Sequence, residues 1–535
     1  MSEPRRRFMH VWLLYVLGGA LMALSFPLAP FPGGSTWGLW PCGWLCLAPL
    51  LAASSRPGSV AGAALGGLAA GFAAFVPVLA WMYPFLARWG MLSPPEAGGI
   101  YLLLVFWVAL FMAAFTTLVR LWSARWGPVA AIAMAPAAWV ALELGRGRML
   151  TGFPWCLLGY SQARLPTAIQ VANLGGVYAV SFLLACAGSA LALIWLALGR
   201  EVPFRRALPP AGALAAVAMA GVAYGLAIPG DPDVGPEPVH VALVQANVAQ
   251  SEKWDPQERA RIEADHVRLT REAAAQGARL IVWSESSVPA SITSDRRYAE
   301  RLDQLARETG SDLVVGTVAY EMRGARRVPF NSAVLIGPEG MRGSRYDKEH
   351  LVPFGEYVPL RRLLFFVEPL VQEAGDFEPG GGGPPLPATG IPLGPLICYE
   401  AVFPELTRAR VRSGADALVN LTNDAWYGDT AMPRQHLSMA ILRAVESRRW
   451  LLRCANTGLS ALVDPRGRVR GLTRLDETTV LHGEVAPVRE ISVYVRAGDA
   501  FAIACGILTA ASTIAVLRRR PSPAGNRRPT QNHAS

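Results

Sequence analysis

Eight apolar segments, each close to the length needed to cross a lipid bilayer, dominate this sequence of 535 residues. A membrane-spanning helix needs about 20 apolar residues, because the hydrocarbon core is about 30 Å thick. Seven segments precede residue 230, and they cover residues 10–26, 37–53, 60–83, 98–119, 128–144, 168–198 and 211–228. The eighth covers residues 500–517. We therefore expect a membrane domain of eight transmembrane helices, seven of them before residue 230.

The composition excludes an ordinary soluble globular protein, because 52% of the residues are hydrophobic and only 17% are charged. The formal net charge of +10 is a feature shared with nucleic-acid-binding proteins. Much of the arginine, however, lies beside the apolar segments, where the preference of basic residues for the cytoplasmic side explains it. We expect a lipid bilayer as the surrounding medium and no nucleic-acid partner.

Arginines at the ends of the apolar segments predict the orientation of the chain, since Lys and Arg in short loops resist translocation. With the N-terminus in the cytoplasm, the cytoplasmic side holds Arg5, Arg6, Arg7, Arg56, Arg120, Arg125, Arg200, Arg205, Arg206, Arg518, Arg519, Arg520, Arg527 and Arg528. The opposite short loops hold only Arg88, Arg146, Arg148 and Arg164. Both termini are therefore expected in the cytoplasm, with residues 240–490 outside the cytoplasmic membrane. The basic start resembles a signal peptide, but no convincing cleavage site follows it, so we expect the first span to be retained.

The region between the seventh and eighth spans has the pattern of a soluble α/β domain. A Pro/Gly-rich stretch at 229–239 predicts a linker after the membrane domain at 1–228. Strand-like runs at 240–248, 279–283, 313–318, 331–336, 393–398 and 417–421 alternate with helix-like runs at 256–275, 295–309, 403–413 and 433–447. We place this domain at 240–490, the eighth transmembrane helix at 497–518 and a basic cytoplasmic tail at 519–535.

Three chemically reactive side chains lie at or just after predicted strand ends, where α/β folds gather functional groups. They are Glu285 in Val-Trp-Ser-Glu-Ser-Ser-Val-Pro, Lys348 in Tyr-Asp-Lys-Glu-His-Leu-Val-Pro-Phe-Gly-Glu-Tyr-Val-Pro, and Cys398 in Ile-Cys-Tyr-Glu. A thiol with a pKa near 8.5 is mostly protonated at neutral pH, so a nucleophilic Cys398 needs a base. Glu285 is the candidate general base. Lys348 is suited to stabilising the oxyanion of a tetrahedral intermediate.

Cys398 has two other interpretations. It shares the soluble region with Cys454, and two such cysteines outside the cytoplasm can form a disulfide. It can also be a small buried side chain. The ordered Glu285 and Lys348 favour the nucleophile, which leaves Cys454 as a buried strand residue. The remaining five cysteines lie in or beside apolar segments and are expected to pack there.

The three motifs, in this order, resemble the nitrilase or carbon-nitrogen hydrolase superfamily. The longer Lys348 motif and the eight spans together resemble its membrane-embedded apolipoprotein N-acyltransferase family. The resemblance implies an α-β-β-α sandwich for the soluble domain and a Glu-Lys-Cys triad. It also implies a two-step reaction in the bacterial inner membrane, with the catalytic domain on the periplasmic face. Cys398 would take an acyl chain from a phospholipid and pass it to the N-terminal amine of a diacylglyceryl-cysteine on an apolipoprotein.

Further residues are expected to support this chemistry. Glu356 lies eight residues after Lys348 and can either orient its ammonium group or assist the incoming amine. The backbone N–H of Tyr399 is a candidate oxyanion donor. Glu400 matches the resemblance as a further supporting residue. The candidate substrate-binding residues are Trp254, Asn331, Trp426, Tyr427, Arg146 and Arg148.

Two pairs among these candidates have a second interpretation. Trp426 and Tyr427 are either aromatic anchors at the lipid interface or ordinary packing residues. Arg146 and Arg148, in the outer loop after the fifth span, either meet a phospholipid headgroup or only anchor the helix.

The remaining patterns predict no cofactor. The seven histidines lack metal-ligand spacing, and the run Gly380 to Gly383 lacks the following Lys and Ser/Thr of a phosphate-binding loop. We expect no metal and no nucleotide, and a monomer. Two alternative functions remain: a membrane-tethered amidase or nitrilase that hydrolyses a carbon-nitrogen bond, and a catalytically silent binding or transport protein. Seven spans are an excessive anchor for the first, and the intact triad disfavours the second.

Overall fold

Long apolar helices form the first part of the chain, alternating strands and helices follow, and one more apolar helix comes last. The computed structural model describes residues 3–28, 37–90, 92–228, 238–353, 355–357 and 377–518. The predicted linker at 229–239 lies outside the described residues except for its last two positions. The predicted tail at 519–535 lies outside them entirely.

The helices before residue 228 are α1 (Glu3–Leu24), α2 (Pro41–Leu45), α3 (Leu47–Ser55), α4 (Val60–Val78), α5 (Met82–Trp89), α6 (Pro94–Trp126), α7 (Pro128–Arg146), α8 (Pro166–Ile169), α9 (Ala172–Leu198) and α10 (Phe204–Ala227). The later helices are α11 (Arg259–Ala275), α12 (Arg296–Thr309), α13 (Pro404–Arg412), α14 (Met432–Ser447), α15 (Val493–Ala497) and α16 (Ala500–Arg518).

Six of the described helices are long and apolar enough to cross a membrane, namely α4, α6, α7, α9, α10 and α16. Two shorter apolar stretches, Met9–Leu24 and Pro41–Ser55, lie where the first two spans were predicted. The membrane helical domain is therefore confirmed, while the count of eight crossings stays a prediction.

The predicted third span, 60–83, is longer than the helix found there. Helix α4 ends at Val78, and α5 begins at Met82 as a separate helix. The side-chain amide of Gln435, from the soluble domain, donates to the Val78 carbonyl at 2.9 Å and accepts from Trp81 Nε1 at 3.0 Å. A residue distant in the sequence thus donates a hydrogen bond to the carbonyl group at the end of α4. The local sequence contains no signal for this helix end.

The strands are β1 (Val239–Gln245), β2 (Leu280–Trp283), β3 (Asp312–Arg323), β4 (Arg326–Gly337), β5 (Gly340–Asp347), β6 (Leu386–Ala388), β7 (Ile391–Ile397), β8 (Ala417–Thr422), β9 (Trp450–Ala455), β10 (Ala461–Val463), β11 (Val469–Leu472) and β12 (Thr479–Val485). They form two six-stranded sheets. The first has the order β12-β1-β2-β3-β4-β5, and the second has the order β11-β10-β9-β8-β7-β6. Strands β1, β2 and β3 are parallel, as are β7, β8 and β9.

The two sheets pack face to face and are covered on both outer sides by helices. Apolar side chains such as Val241 and Leu243 from the first sheet meet Leu393, Val419 and Leu452 from the second. Helices α11 and α12 cover the outer face of the first sheet, and α13 and α14 cover that of the second. The predicted α-β-β-α sandwich is confirmed.

The helix layer of α13 and α14 faces the membrane domain. Helix α14 contacts α9, and its apolar residues share one continuous core with the transmembrane helices. Glu446 on α14 accepts a hydrogen bond from the Val177 N–H of α9 at 2.8 Å, beside the kink in α9 at Gly175 and Gly176. The layer of α11 and α12 lies beyond both sheets from this contact.

Close helix packing in the membrane domain depends on glycine. A methyl group on Gly67 of α4 would lie 2.1 Å from Thr116 Oγ1 and 2.6 Å from the Met112 carbonyl oxygen of α6. Small residues let transmembrane helices approach closely enough for backbone contact. Gly99 of α6 provides the contrast, because a methyl group there meets no atom within 4 Å.

We expect Gly67→Ala to lower the melting temperature of the detergent-purified protein by several degrees, since overpacking typically costs about 1–3 kcal/mol. The matched change Gly99→Ala should leave the melting temperature unchanged or raise it slightly, because Ala is the better helix former. Thermal unfolding followed by intrinsic tryptophan fluorescence compares the two. Equal melting temperatures for both variants would contradict the packing described for Gly67.

Candidate active site

A cavity of about 120 Å³ lies where α5 of the membrane domain meets the carboxyl ends of strands from both sheets. Cys398, Glu285 and Lys348 all line it. The other residues lining the cavity are Phe85, Leu86, Trp89, Gly90, Lys253, Trp254, Ser286, Asn331, Val352, Gly355, Glu356, Phe377, Asn423, Trp426 and Tyr427. The structure therefore brings together three side chains that are at least 50 residues apart in the sequence.

Cys398 follows β7 directly and has a left-handed backbone, with φ of 49°. This conformation costs a non-glycine residue roughly 1–2 kcal/mol, so its surroundings must hold it. The Cys398 carbonyl accepts hydrogen bonds from His436 Nε2 at 3.1 Å and from Asn420 Nδ2 at 3.5 Å. The turn thereby directs the thiol into the cavity while the carbonyl is held from behind.

A buried charged network fixes His436. Arg453 donates to Asp424 Oδ2 at 2.8 Å and lies 3.1 Å from His436 Nδ1. Burial raises the pKa of Asp424, but the charge of Arg453 and the other polar neighbours together outweigh this effect and lower the pKa to about 2. Burial also lowers the pKa of His436, so the ring is neutral at pH 7. Because the Cys398 carbonyl oxygen can only accept a hydrogen bond, the proton of the neutral His436 ring lies on Nε2.

Glu285 follows β2, and a close backbone approach holds its segment. A methyl group on Gly316 of β3 would lie 2.2 Å from the Ser284 carbonyl oxygen and 2.8 Å from Glu285 Cα, so only glycine fits there. The Glu285 carboxylate accepts from Asn331 Nδ2 at 2.7 Å and from the Asn423 N–H at 2.9 Å. Two fixed donors therefore orient this carboxylate from opposite sheets.

Lys348 lies between two carboxylates. Its Nζ donates to Glu356 Oε1 at 2.9 Å and lies 3.6 Å from Glu285 Oε1. Asn331 Nδ2 also donates to Glu356 Oε1, at 2.8 Å, so it bridges the two carboxylates. Lys348 is only 1% exposed. Burial alone lowers the pKa of Lys348, but the charges of Glu356 and Glu285 outweigh it and raise the pKa well above its usual value. Lys348 is therefore a permanent cation.

The Cys398 thiol is protonated in this environment. Burial raises its pKa most, and the neighbouring Glu285 carboxylate raises it further, against a smaller opposing effect of Lys348. A thiol of this kind needs a base to become nucleophilic. Glu285 is the carboxylate in the cavity whose charge acts most strongly on it.

Lys253 is a second buried cation of the cavity, and the sequence predictions missed it. Its side chain is 1% exposed, and Nζ donates to the Glu285 backbone carbonyl at 2.9 Å. Burial lowers the pKa of Lys253 to about 8, despite the raising effects of Glu285 and Cys398. The signal was adjacent to a predicted residue, in Glu-Lys-Trp-Asp, but a lysine in a polar loop is usually exposed.

The predicted substrate-binding residues Trp254, Asn331, Trp426 and Tyr427 all line the cavity. Trp426 packs edge-on against Trp89, with ring centroids 5.3 Å apart, and Tyr427 stacks on Phe85 at 5.0 Å. Both aromatic residues thus contact α5 of the membrane domain.

Tyr399 and Glu400 do not line the cavity and lie behind it. The Tyr399 ring stacks on Trp155 at 6.4 Å. Glu400 is fully buried, and its Oε1 accepts from the Glu349 N–H at 2.7 Å and the Tyr346 hydroxyl at 2.8 Å, while Oε2 accepts from the Ile397 N–H at 2.7 Å. Burial raises the pKa of Glu400 to about 7. Glu400 therefore ties the Lys348 segment to the Cys398 turn.

Arg146 and Arg148 also lie outside the cavity lining. Arg146 is buried and donates to the Trp155 and Cys156 carbonyls at 3.1 and 3.2 Å. Arg148 pairs with Asp499, at the start of α16. These contacts agree with the helix-anchoring interpretation. Neither arginine lines the cavity that contains Cys398.

All seven cysteines are free, so Cys398 and Cys454 form no disulfide, and Cys454 is a buried residue of β9. Among the described residues, no group of three or more His, Cys, Asp or Glu side chains is arranged to hold a metal ion.

Comparisons with known proteins agree with the two-part architecture. Residues 240–493 match the family model described as "Carbon-nitrogen hydrolase", and residues 18–191 match the "Apolipoprotein N-acyltransferase N-terminal domain". An apolipoprotein N-acyltransferase of Geobacter metallireducens is 41% identical over 520 residues, which cover 97% of this chain and 96% of the relative. The chain belongs to the apolipoprotein N-acyltransferase family. A second family member, from Azotobacter vinelandii, is 37% identical, with 90% of this chain and 91% of the relative covered.

One solved structure gives a weaker match than these relatives. A Saccharomyces cerevisiae member of branch 10 of the nitrilase superfamily is 20% identical, covering 48% of this chain and 93% of its own, with a TM-score of 0.38.

We expect Lys253→Met to lower kcat/KM on the order of tenfold, because it removes a buried positive charge beside the thiol and its base. In the wild-type enzyme, Lys253 loses its charge as the pH rises through about 8, so activity should fall there. Lys253→Arg keeps the charge and should move this fall to higher pH. Initial rates between pH 6 and 10 measure the effect, and a fall near pH 8 that persists in Lys253→Met would exclude Lys253 as its cause.

Proposed function

We propose that this enzyme transfers an acyl chain from a phospholipid to the N-terminal amine of diacylglyceryl-cysteine on apolipoproteins. Family membership supports the N-acylation of lipoproteins as its activity. The observation that supports the mechanism is the cavity in which a protonated Cys398 thiol, the Glu285 carboxylate and the Lys348 ammonium group meet. This cavity needs no metal or nucleotide for the chemistry described below.

In the first step, Glu285 takes the proton of the Cys398 thiol as the sulfur attacks the ester carbonyl of the phospholipid. Lys348 stabilises the resulting oxyanion. The backbone N–H of Tyr399, which follows Cys398 directly in the chain, is the proposed second donor, while the Tyr399 ring points away to Trp155. The intermediate then collapses, the ester C–O bond breaks, and Glu285 returns the proton to the leaving alkoxide. A lysophospholipid departs, and the acyl chain remains as a thioester on Cys398.

In the second step, the amine of the acceptor attacks the thioester carbonyl. Glu285 takes a proton from the attacking nitrogen, and the collapse of the second intermediate breaks the C–S bond. Cys398 leaves as the thiolate and receives the proton from Glu285. An amide forms, and the enzyme returns to its starting state. Glu356 supports both steps by holding Lys348, with 2.9 Å between its Oε1 and Lys348 Nζ.

The walls of the cavity suit lipid substrates better than a small amide. Helix α5 contributes Phe85, Leu86 and Trp89, and the soluble domain contributes Trp254 and Trp426. Apolar walls exclude water, which would otherwise hydrolyse the thioester. The alternative of a membrane-tethered amidase or nitrilase is therefore not favoured, since it would use neither these walls nor the family-specific membrane domain.

The arginine distribution and the fold support a topology for this reaction. We place residues 1–228 in the membrane domain, 229–239 in a linker, 240–490 in the catalytic domain, 497–518 in the last span and 519–535 in a cytoplasmic tail. The enzyme acts as a monomer in the bacterial inner membrane, with its catalytic domain on the periplasmic face and both termini in the cytoplasm.

The purified enzyme incubated with phospholipid should gain one acyl mass on Cys398, visible by intact mass spectrometry and removed by hydroxylamine. A diacylglyceryl-cysteine peptide should discharge the adduct within one turnover. Cys398→Ala should abolish it, and Glu285→Gln should slow its formation at least a hundredfold, because the base is lost.

Two outcomes of this experiment contradict the proposal. Enzyme that acylates lipoprotein without ever carrying a hydroxylamine-sensitive adduct would exclude the thioester. An adduct lost to water as fast as to the acceptor amine would identify a hydrolase.

The topology predicts opposite results for two reporter fusions. Alkaline phosphatase, which is active only outside the cytoplasm, should be active when fused after residue 239 and inactive when fused after residue 528. A green fluorescent reporter at the same sites should show the reverse pattern. Equal phosphatase activity at both sites would contradict the placement of the catalytic domain and the tail on opposite sides of the membrane.

A further inference from the structure

We call the cavity that contains Cys398, Glu285 and Lys348 the reaction cavity. A second cavity, of about 470 Å³, lies beside it, and Trp254 lines both. Four arginines line it, namely Arg259, Arg296, Arg297 and Arg327, together with one acidic residue, Asp295. We call it the basic groove. It takes no part in the mechanism proposed above.

The charges of the groove are only partly neutralised. Arg259 pairs with Asp295, and Arg296 pairs with Glu300 while its side chain remains 91% exposed. Arg327 lies over the Tyr320 ring and donates to Ser294 Oγ at 3.0 Å. Arg297 has no ion pair within the described part of the chain. Two guanidinium groups therefore face the groove without a carboxylate partner.

The position of the groove decides which substrate it suits. It is lined only by residues 254–327 of the soluble domain, from the loops and helix starts of α11 and α12 and from the hairpin of β3 and β4. This helix layer lies beyond both sheets from the contact with the membrane domain, and stacked sheets are about 10 Å apart. A phospholipid headgroup stays at the membrane surface with its acyl chains. The groove therefore lies on the water-facing side of the reaction cavity.

Of the two substrates, only the apolipoprotein acceptor has a polypeptide that must extend from the reaction cavity into water. Its lipid-modified cysteine enters the reaction cavity, while its polypeptide continues into solvent. Trp254 is 46% exposed and lines both cavities. An extended chain advances about 3.3 Å per residue, so two or three residues pass over Trp254 before the chain reaches the groove.

We propose that the basic groove binds an acidic segment of the apolipoprotein acceptor, a few residues after its modified cysteine. This inference rests on the proposed function and adds how the acceptor is selected. Each guanidinium group at an exposed site contributes modestly, about 1.4-fold to fivefold in affinity per ion pair. Several pairs together give a measurable preference, which added salt weakens by screening.

The test uses diacylglyceryl-cysteine hexapeptides with aspartate, asparagine or lysine at positions three to six. With the detergent-purified enzyme and phospholipid donor, KM for the aspartate peptide should be about tenfold lower than for the asparagine peptide. The lysine peptide should have the highest KM, and kcat should be similar for all three. Raising the salt concentration from 0.05 to about 0.5 M should reduce the preference.

Variants locate the effect. The double variant Arg297→Gln, Arg327→Gln should lose most of the preference for aspartate, and the charge reversal Arg297→Glu, Arg327→Glu should invert it toward lysine. Arg271→Gln is the matched control, because Arg271 is an exposed arginine of α11 that pairs with Glu308 and does not line the groove. It should keep the preference of the wild type.

Several outcomes would overturn the inference. One is a wild-type enzyme that does not distinguish the three peptides, and another is a preference that survives the charge reversal. A third is a double variant that slows the acylation of Cys398 by phospholipid but keeps the peptide preference, which would assign the groove to the donor headgroup. The acyl adduct on Cys398, measured first, separates these results from a failure of the proposed function, in which no adduct forms.

Discussion

The candidate active site depends on the ion pairs of Lys348, which is buried between the carboxylates of Glu285 and Glu356. A buried charge is tolerated only when it is paired and hydrogen-bonded, and removing one partner of such a pair typically costs about 3–5 kcal/mol. Here the negative charges of Glu285 and Glu356 are balanced by the positive charges of Lys348, which pairs with both carboxylates, and of Lys253, which donates to the Glu285 backbone carbonyl. Asn331 donates a hydrogen bond to each carboxylate. When a proton moves from Cys398 to Glu285, the total charge in the cavity does not change.

The same cavity depends on the membrane domain through α14. This helix holds the Cys398 carbonyl through His436, and one residue earlier Gln435 binds Trp81 and the carbonyl at the end of α4. At its other end, Glu446 holds the kinked start of α9. The turn at Cys398 and the transmembrane helices thus contact one helix, α14. This arrangement explains why a nitrilase-like domain and a helical membrane domain form one enzyme, with α5 as a wall of the reaction cavity.

The sequence predicted the parts of this structure that local patterns specify. Apolar length located the membrane helices, alternation located β1, β2, β7 and β8, and the strand ends located Glu285, Lys348 and Cys398. The sequence predictions were incomplete where a residue's environment depends on partners that are distant in the sequence. Strand β9 was not among the predicted strand-like runs, although Cys454 within it was expected to be a buried strand residue. It carries Arg453, whose buried charge is neutralised by Asp424 from another segment. Lys253 looked like a loop lysine, and its burial depends on Glu285, which lies 32 residues further along the chain. The arginines of the basic groove come from separate segments that only the fold brings together.

We expect Cys398 to rest as a protonated thiol and to act through a carboxylate base. The rate of alkylation of Cys398 by iodoacetamide as a function of pH, corrected with the Cys398→Ala variant, tests it most directly. The raised thiol pKa predicts slow alkylation at neutral pH, with a rate that rises only well above pH 9. Alkylation that is fast and already constant at pH 7, also in the Glu285→Gln variant that lacks the base, would reveal a preformed thiolate and would show that this expectation is wrong.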